Sequence, residues 1–210
     1  MKTTIIASAI LYATLLASCS QAPVSTPAAK EEVKACCSKD NVPEAGEVSD
    51  ESLFNITSKW TTQQGTPFVT TDLSGKVTVA AMIFTSCQSA CPRIMADLKN
   101  IRAALSDADR ARTHFLLITM DPANDTPERL KAFTKEHQLD SMWTLVCADD
   151  DATAEMANVL GVRIKKLSGG GFDHSNTVYV LGKDGVIAHR QDGLGQDPAG
   201  TLQAIHTQLQ

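Results

Sequence analysis

Cys87 and Cys91 stand at the junction of two patterned runs, and that junction constrains the fold more than any other stretch of the chain. Before them, Val77-Thr78-Val79-Ala80-Ala81-Met82-Ile83-Phe84 is an apolar run of strand length, rich in β-formers and preceded by the turn Leu73-Ser74-Gly75-Lys76. After them, Ile94, Leu98, Ile101 and Leu105 recur at offsets of four, three and four, which places them on one helical face, with Pro92 at the first helical position. An apolar strand feeding a helix calls for further strands and helices to pack with them.

The rest of the chain supplies them. His114 to Met120 reads as a second buried strand, and Trp143 to Cys147 as a third. Thr126-Pro127-Glu128 opens a helix with Thr126 as its N-cap, turning Leu130 and Phe133 inward. Asp151 to Leu160 is a short helix ended by Gly161. Thr177 to Leu181 and Val186 to His189 flank Gly182-Lys183-Asp184-Gly185, a hairpin signal, and an amphipathic helix runs from about Pro198 to Leu209. The order β-α-β-α-β-α-β-β-α predicts an α/β domain over residues 53–210, with a central mixed sheet flanked by helices. A cysteine pair at the first strand-to-helix junction of such a domain is a thioredoxin-like layout.

The N-terminal segment reads differently. Lys2, the apolar stretch Ile5 to Leu16 and the small residues before Cys19 have the three-part layout of a signal peptide over residues 1–18, too short for a comfortable membrane span. Leu16-Ala17-Ser18-Cys19 resembles the bacterial lipoprotein cleavage box, which makes Cys19 the lipid-bearing residue. Residues 19–52 hold Pro23, Pro27 and Pro43, a charged patch and no apolar period, and read as a flexible linker. Thirty such residues span roughly 30 Å, enough to hold a head off a membrane. The expected location is the cell envelope, on the periplasmic side, lipid-anchored to a membrane. Ser20 stands where an Asp would signal inner-membrane retention, a hint of the outer membrane in a diderm host that leaves the choice of membrane open. A formal charge of -5 excludes a nucleic-acid surface as the default partner.

Export sets the chemistry of the remaining thiols. Disulfides persist outside the cytoplasm, yet Cys36, Cys37, Cys87, Cys91 and Cys147 are an odd set once Cys19 is removed. Unpaired N–H groups and the partial positive charge of a helix start favour a thiolate, and the expectation falls on Cys91. Cys87 lies close enough to share a partner. Three uses stay open: a reversible or structural disulfide, a soft-metal clamp, and a nucleophile with a resolving thiol. Three intervening residues rather than two favour the metal clamp over a redox dithiol. Soft thiolates favour Cu(I), and imidazole suits copper in either state. Of five histidines, His114 begins a strand, His137 ends a helix, His189 lies in an outer strand and His206 on the last helix. His174 lies in Gly169-Gly170-Gly171-Phe172-Asp173-His174-Ser175, a loop able to bend over the sheet end, and is the candidate third donor. Asp121 and Asp173 are candidate supporting carboxylates, and Cys147 a buried core thiol.

Four stretches, in order, resemble the SCO/SenC family of copper-delivery proteins: Phe84-Thr85-Ser86-Cys87 through Cys91-Pro92, Thr119-Met120-Asp121-Pro122 with Asp125-Thr126-Pro127-Glu128, Asp173-His174-Ser175, and Tyr179 to Gly185. The resemblance covers the chain from about Phe54 to its end. It implies a thioredoxin-like fold, copper as cargo, Cu(I) first and Cu(II) second, and a metal site formed by Cys87, Cys91 and His174. It also implies a membrane-tethered copper chaperone rather than an enzyme, serving the copper centre of cytochrome c oxidase subunit II or another copper protein. The alternative within the same family is a thiol-disulfide reductase acting on cysteines of the oxidase or other envelope proteins. Gln88-Ser89 departs from the Pro-Asp often found after the first family cysteine, and the Cys36-Cys37 pair is not part of the motif.

Overall fold

The computed structural model describes residues 48–168 and 171–210. The expected signal peptide with its lipidation residue Cys19, the expected linker as far as Glu47, and the Cys36-Cys37 pair lie outside the described residues. In chain order the elements are β1 (Trp60–Thr62), β2 (Pro67–Phe68), β3 (Val77–Ile83), α1 (Ala90–Ala104), α2 (Asp107–Arg110), β4 (Thr113–Thr119), α3 (Pro127–Glu136), β5 (Trp143–Cys147), α4 (Asp150–Leu160), β6 (Ile164–Lys166), β7 (Phe172–His174), β8 (Thr177–Leu181), β9 (Ile187–Asp192) and α5 (Ala199–Leu209). Among the described residues no helix is long and apolar enough to cross a membrane.

A seven-stranded sheet runs β2-β1-β5-β4-β3-β8-β9, and β6 pairs with β7 in a separate two-stranded ribbon. β3 and β4 are parallel with seven paired positions, from Val77 opposite Thr113 to Ile83 opposite Thr119. β4 and β5 are also parallel, whereas β8 joins β3 and β9 joins β8 antiparallel. The sheet is therefore mixed and flanked by helices, as the sequence predicts. All seven residues of β3 are buried, which is why its sequence is apolar on both faces rather than alternating. α5 packs on β8, β9 and α1, and α3 on β5. Phe115 stacks on Trp143 across β4 and β5 at 4.4 Å between ring centroids, part of a core that includes Trp60, Leu98, Leu117 and Tyr179.

Helix ends follow local chemistry. Thr126 Oγ1 accepts from the Arg129 amide and Asp149 from the Ala152 amide, each N-cap satisfying one orphan donor. Gly161 ends α4 with φ of +66°, a left-handed conformation that favours glycine. At α1 the sequence expectation shifts. The helix begins at Ala90, so Pro92 is its third residue rather than its first. The cost is nil, because the first four amides of a helix have no intrahelical acceptor.

Candidate metal-binding cleft

The parallel strands β3 and β4 deliver their C-terminal ends side by side, and one wall of the site is built there. The Cys87 amide donates to the Phe84 carbonyl at 3.2 Å, closing a turn that lifts Ser86 and Cys87 out of the sheet. The turn is fastened from below by Asp125, which is fully buried. Its carboxyl oxygens accept from the Thr85 amide at 3.0 and 3.3 Å and from the hydroxyls of Thr85 and Thr119. Arg129 Nε adds a bond to Thr85 Oγ1 at 3.0 Å while its fork holds Glu136. The β3 end, the β4 end and the start of α3 are thus tied at one point, two residues before Cys87. Asp121, also buried, is occupied within its own turn by the Asn124 side-chain amide at 2.9 and 3.0 Å.

Both thiols are free. They divide the roles opposite to the sequence expectation. Cys91 is only 2% exposed, and burial, reinforced by Cys87 and Asp125 nearby, pushes its thiol up to about 12. The Cys91 amide, one of the free donors of the first turn, points instead at Cys87 Sγ at 3.3 Å. Partial burial of Cys87 works against its thiolate, but the amides of Cys91, Ser89 and Ala90 outweigh it and the thiol is lowered. The helix start favours a thiolate as expected, on Cys87 rather than on Cys91, because desolvation wins at the buried sulfur.

The second wall is the β6–β7 ribbon. Ile164 stands opposite His174, Lys165 opposite Asp173 and Lys166 opposite Phe172. The Ser175 amide donates to the Arg163 carbonyl and the Leu167 amide to the Gly171 carbonyl, both at 3.1 Å. Gly171 has φ of +77°, a left-handed conformation that favours glycine, and a Cβ there would meet the Phe84 ring at an ordinary contact distance of 3.7 Å. Phe172 meets Phe84 edge to face at 5.2 Å, and His174 meets the same ring at 5.9 Å. Phe84, the last apolar residue before the cysteine loop, therefore seats the histidine strand beside it.

His174 Nδ1 lies 3.1 Å from the Ser175 carbonyl. A carbonyl only accepts, so Nδ1 carries the hydrogen and Nε2 of the neutral ring keeps its lone pair. That Nε2 is buried and has no hydrogen-bond partner. A cleft of about 440 Å³ lies between the walls, lined by Phe84, Cys87, Ser89, Phe172, His174 and Asn176 among others. Cys87 and His174 thus share one cleft, and Cys91 sits behind Cys87. The three do not meet at one point: among the described residues no three His, Cys, Asp or Glu side chains are grouped to hold an ion. Asp173 is exposed on the ribbon, and Cys147 is buried at the end of β5 with Sγ donating to the Thr61 carbonyl at 3.6 Å. His114 bonds Thr144 on the sheet and His206 faces Asp109. Asp125 and Phe84 lie within the stretches that carry the family resemblance, but the sequence assigns neither a role in the site. Their signal, a buried acid and an aromatic flanking the cysteines, lies in tertiary contacts.

Comparison with known proteins agrees with this architecture. The SCO1/SenC family model matches residues 48–210. A SCO1 homologue of Bacillus subtilis is 26% identical over 130 residues, 60% of this chain and 67% of that protein. The chain spans about a third of two other curated relatives. The crystal structure of a SCO1/SenC family lipoprotein from Bacillus anthracis is 26% identical and covers 72% of this chain and 92% of that one, with a TM-score of 0.67. Yeast Sco1 with copper bound is 21% identical and shares the fold, with a TM-score of 0.61 over 72% of this chain and 86% of that one. The match reaches from the first described residue to the last and takes in the cysteine turn, the Asp121–Glu128 turn and the His174 ribbon, so the chain belongs to the SCO1/SenC family.

Proposed function

We propose that this chain is a membrane-tethered copper chaperone of the cell envelope that binds copper through Cys87, Cys91 and His174 and passes it to the copper centre of cytochrome c oxidase subunit II or to another copper protein. The observation that carries the reading is the buried, unpartnered Nε2 of His174 in a cleft shared with Cys87. A buried acceptor left without a partner costs about 1–3 kcal/mol, and a cation in the cleft would offset that cost. Two sulfurs and one imidazole are a soft donor set suited to Cu(I). Closing it requires side-chain movement, since the three donors are not grouped around one point. A cleft open on one side leaves room for an incoming ligand from an acceptor protein. The Bacillus anthracis relative is described as a lipoprotein and the yeast one as holding copper, which supports anchoring at Cys19 and copper as the cargo.

The test is competition for Cu(I) between the reduced domain and a chromophoric chelator. One copper per chain is expected, weakened about 10–100-fold in His174→Ala. Binding by Cys87→Ser equal to that of the parent would sink the reading.

A second reading has its own observation. Cys87 is the more accessible, lowered thiol and Cys91 the buried one directly behind it, an arrangement that suits attack by Cys87 and resolution by Cys91. A thiol-disulfide reductase of envelope proteins would keep its full activity in His174→Ala, and a chaperone would not keep its copper affinity.

A further inference from the structure

We infer that Asn176 is an additional copper ligand that acts on Cu(II) and not on Cu(I), through its side-chain oxygen. The inference rests on the copper-site reading above and concerns a residue outside the cysteine and histidine motifs. Asn176 lines the same cleft as Cys87 and His174. Its Oδ1 is buried without a hydrogen-bond partner, as His174 Nε2 is. His174 and Asn176, two residues apart in sequence, line one cleft with Cys87, and each carries a buried lone pair without a partner. Neither can satisfy the other, because both accept. Such a pair calls for an electropositive guest, and leaving both empty costs more than leaving one.

The chemistry of the donors separates the oxidation states. Cu(I) is satisfied by the two sulfurs and the imidazole at low coordination. Cu(II) prefers a tetragonal arrangement with nitrogen and oxygen donors, so it needs a fourth ligand that the soft set does not supply. An amide oxygen is neutral and hard, and it adds little for Cu(I). The backbone of Asn176 is independently fixed, its carbonyl accepting from the Gly193 amide at 2.8 Å, so the side chain is free to serve the cleft without loosening the strand.

The experiment compares the parent domain with Asn176→Leu, which removes the oxygen, and Asn176→Asp, which retains one. Cu(I) affinity is measured by chelator competition. Cu(II) is added to the reduced protein under anaerobic conditions and followed by competition and by electron paramagnetic resonance. Cu(I) affinity is expected to stay within about twofold in all three, while Cu(II) affinity falls about tenfold or more in Asn176→Leu, with a changed spectrum, and is restored in Asn176→Asp. Should Asn176→Leu fail to fold, Asn176→Ser, too short to reach the same position, takes its place. Identical Cu(II) affinity and spectrum in parent and variant would overturn the inference, as would equal losses for Cu(I) and Cu(II), which would mark Asn176 as structural. Failure of the parent to bind Cu(I) would instead overturn the copper-site reading on which it rests.

Discussion

The two walls of the cleft are built to different standards. The cysteine wall grows from the middle of the seven-stranded sheet and is tied through Asp125 to β3, β4 and α3 at once. The histidine wall is a ribbon of two three-residue strands, attached to its surroundings by the Phe84 ring and a few backbone bonds. Two-stranded ribbons are marginal on their own. A protein that only stored a metal would gain from fixing every ligand. Here one side is fastened by a buried hydrogen-bond network and the other rests on fewer contacts, which on the proposed reading suits a cargo that has to be taken up and released. The same division appears within the cysteine wall, where Cys87 lines the cleft and Cys91 does not.

The largest expected contrast is between the two thiols. Cys87 is lowered by the helix-start amides while burial pushes Cys91 up to about 12, so at neutral pH the thiolate falls on Cys87 far more than on Cys91. Brief treatment of the reduced protein with iodoacetamide at neutral pH, followed by mass mapping, is expected to label Cys87 and spare Cys91. Equal labelling would erase the distinction. On the proposed ligand set, copper uptake at neutral pH has to displace the Cys91 proton, so apparent affinity is expected to rise with pH and a proton to be released on binding.

The two walls are next compared by deleting an acid from each. Asp125→Ala leaves the Thr85 amide and two threonine hydroxyls without their acceptor and is expected to cost about 3 kcal/mol in urea unfolding. Asp173→Ala removes an exposed side chain and should change stability by less than about 0.5 kcal/mol. Similar losses in both would contradict the difference between the walls. Asp125→Ala should also weaken copper binding, because it frees the turn carrying Cys87.

The smallest effect on copper binding is expected away from the cleft, at His114, which serves as a reference. Burial, with Lys76 adding to it, lowers His114 from 6.5 to about 4. The folded state therefore resists protonation while the unfolded chain accepts it. Stability is full above pH 6.5, falls between 6.5 and 4, and levels off below, as regards this group. His114→Gln should flatten that part of the stability profile and leave copper affinity unchanged.

Much of this was legible beforehand. β5 and β8 fall where the apolar runs end, and Thr126 and Gly161 cap the helices assigned to them. Long, patterned elements announce themselves because one face or both must be buried. The N-terminal hairpin of β1 and β2 and the ribbon of β6 and β7 did not, since strands of two or three residues carry no period. Lys165-Lys166-Leu167 followed by glycines reads as loop, and its pairing with Phe172–His174 is made by Phe84, some ninety positions away. Asp125 and Thr85 are forty residues apart, so only the fold makes them partners. The Cys91 expectation failed for a related reason: the helix start was read correctly as a source of positive potential, but burial of the sulfur depends on packing that local sequence does not specify.

The most direct test of the central claim is X-ray absorption at the copper edge of the Cu(I)-loaded protein. The account predicts two sulfur donors and one imidazole nitrogen, with the nitrogen contribution lost in His174→Ala and both sulfurs retained. A spectrum with sulfur donors alone, unchanged by His174→Ala, would contradict it and leave Cys87 and Cys91 as a thiol pair in their own right.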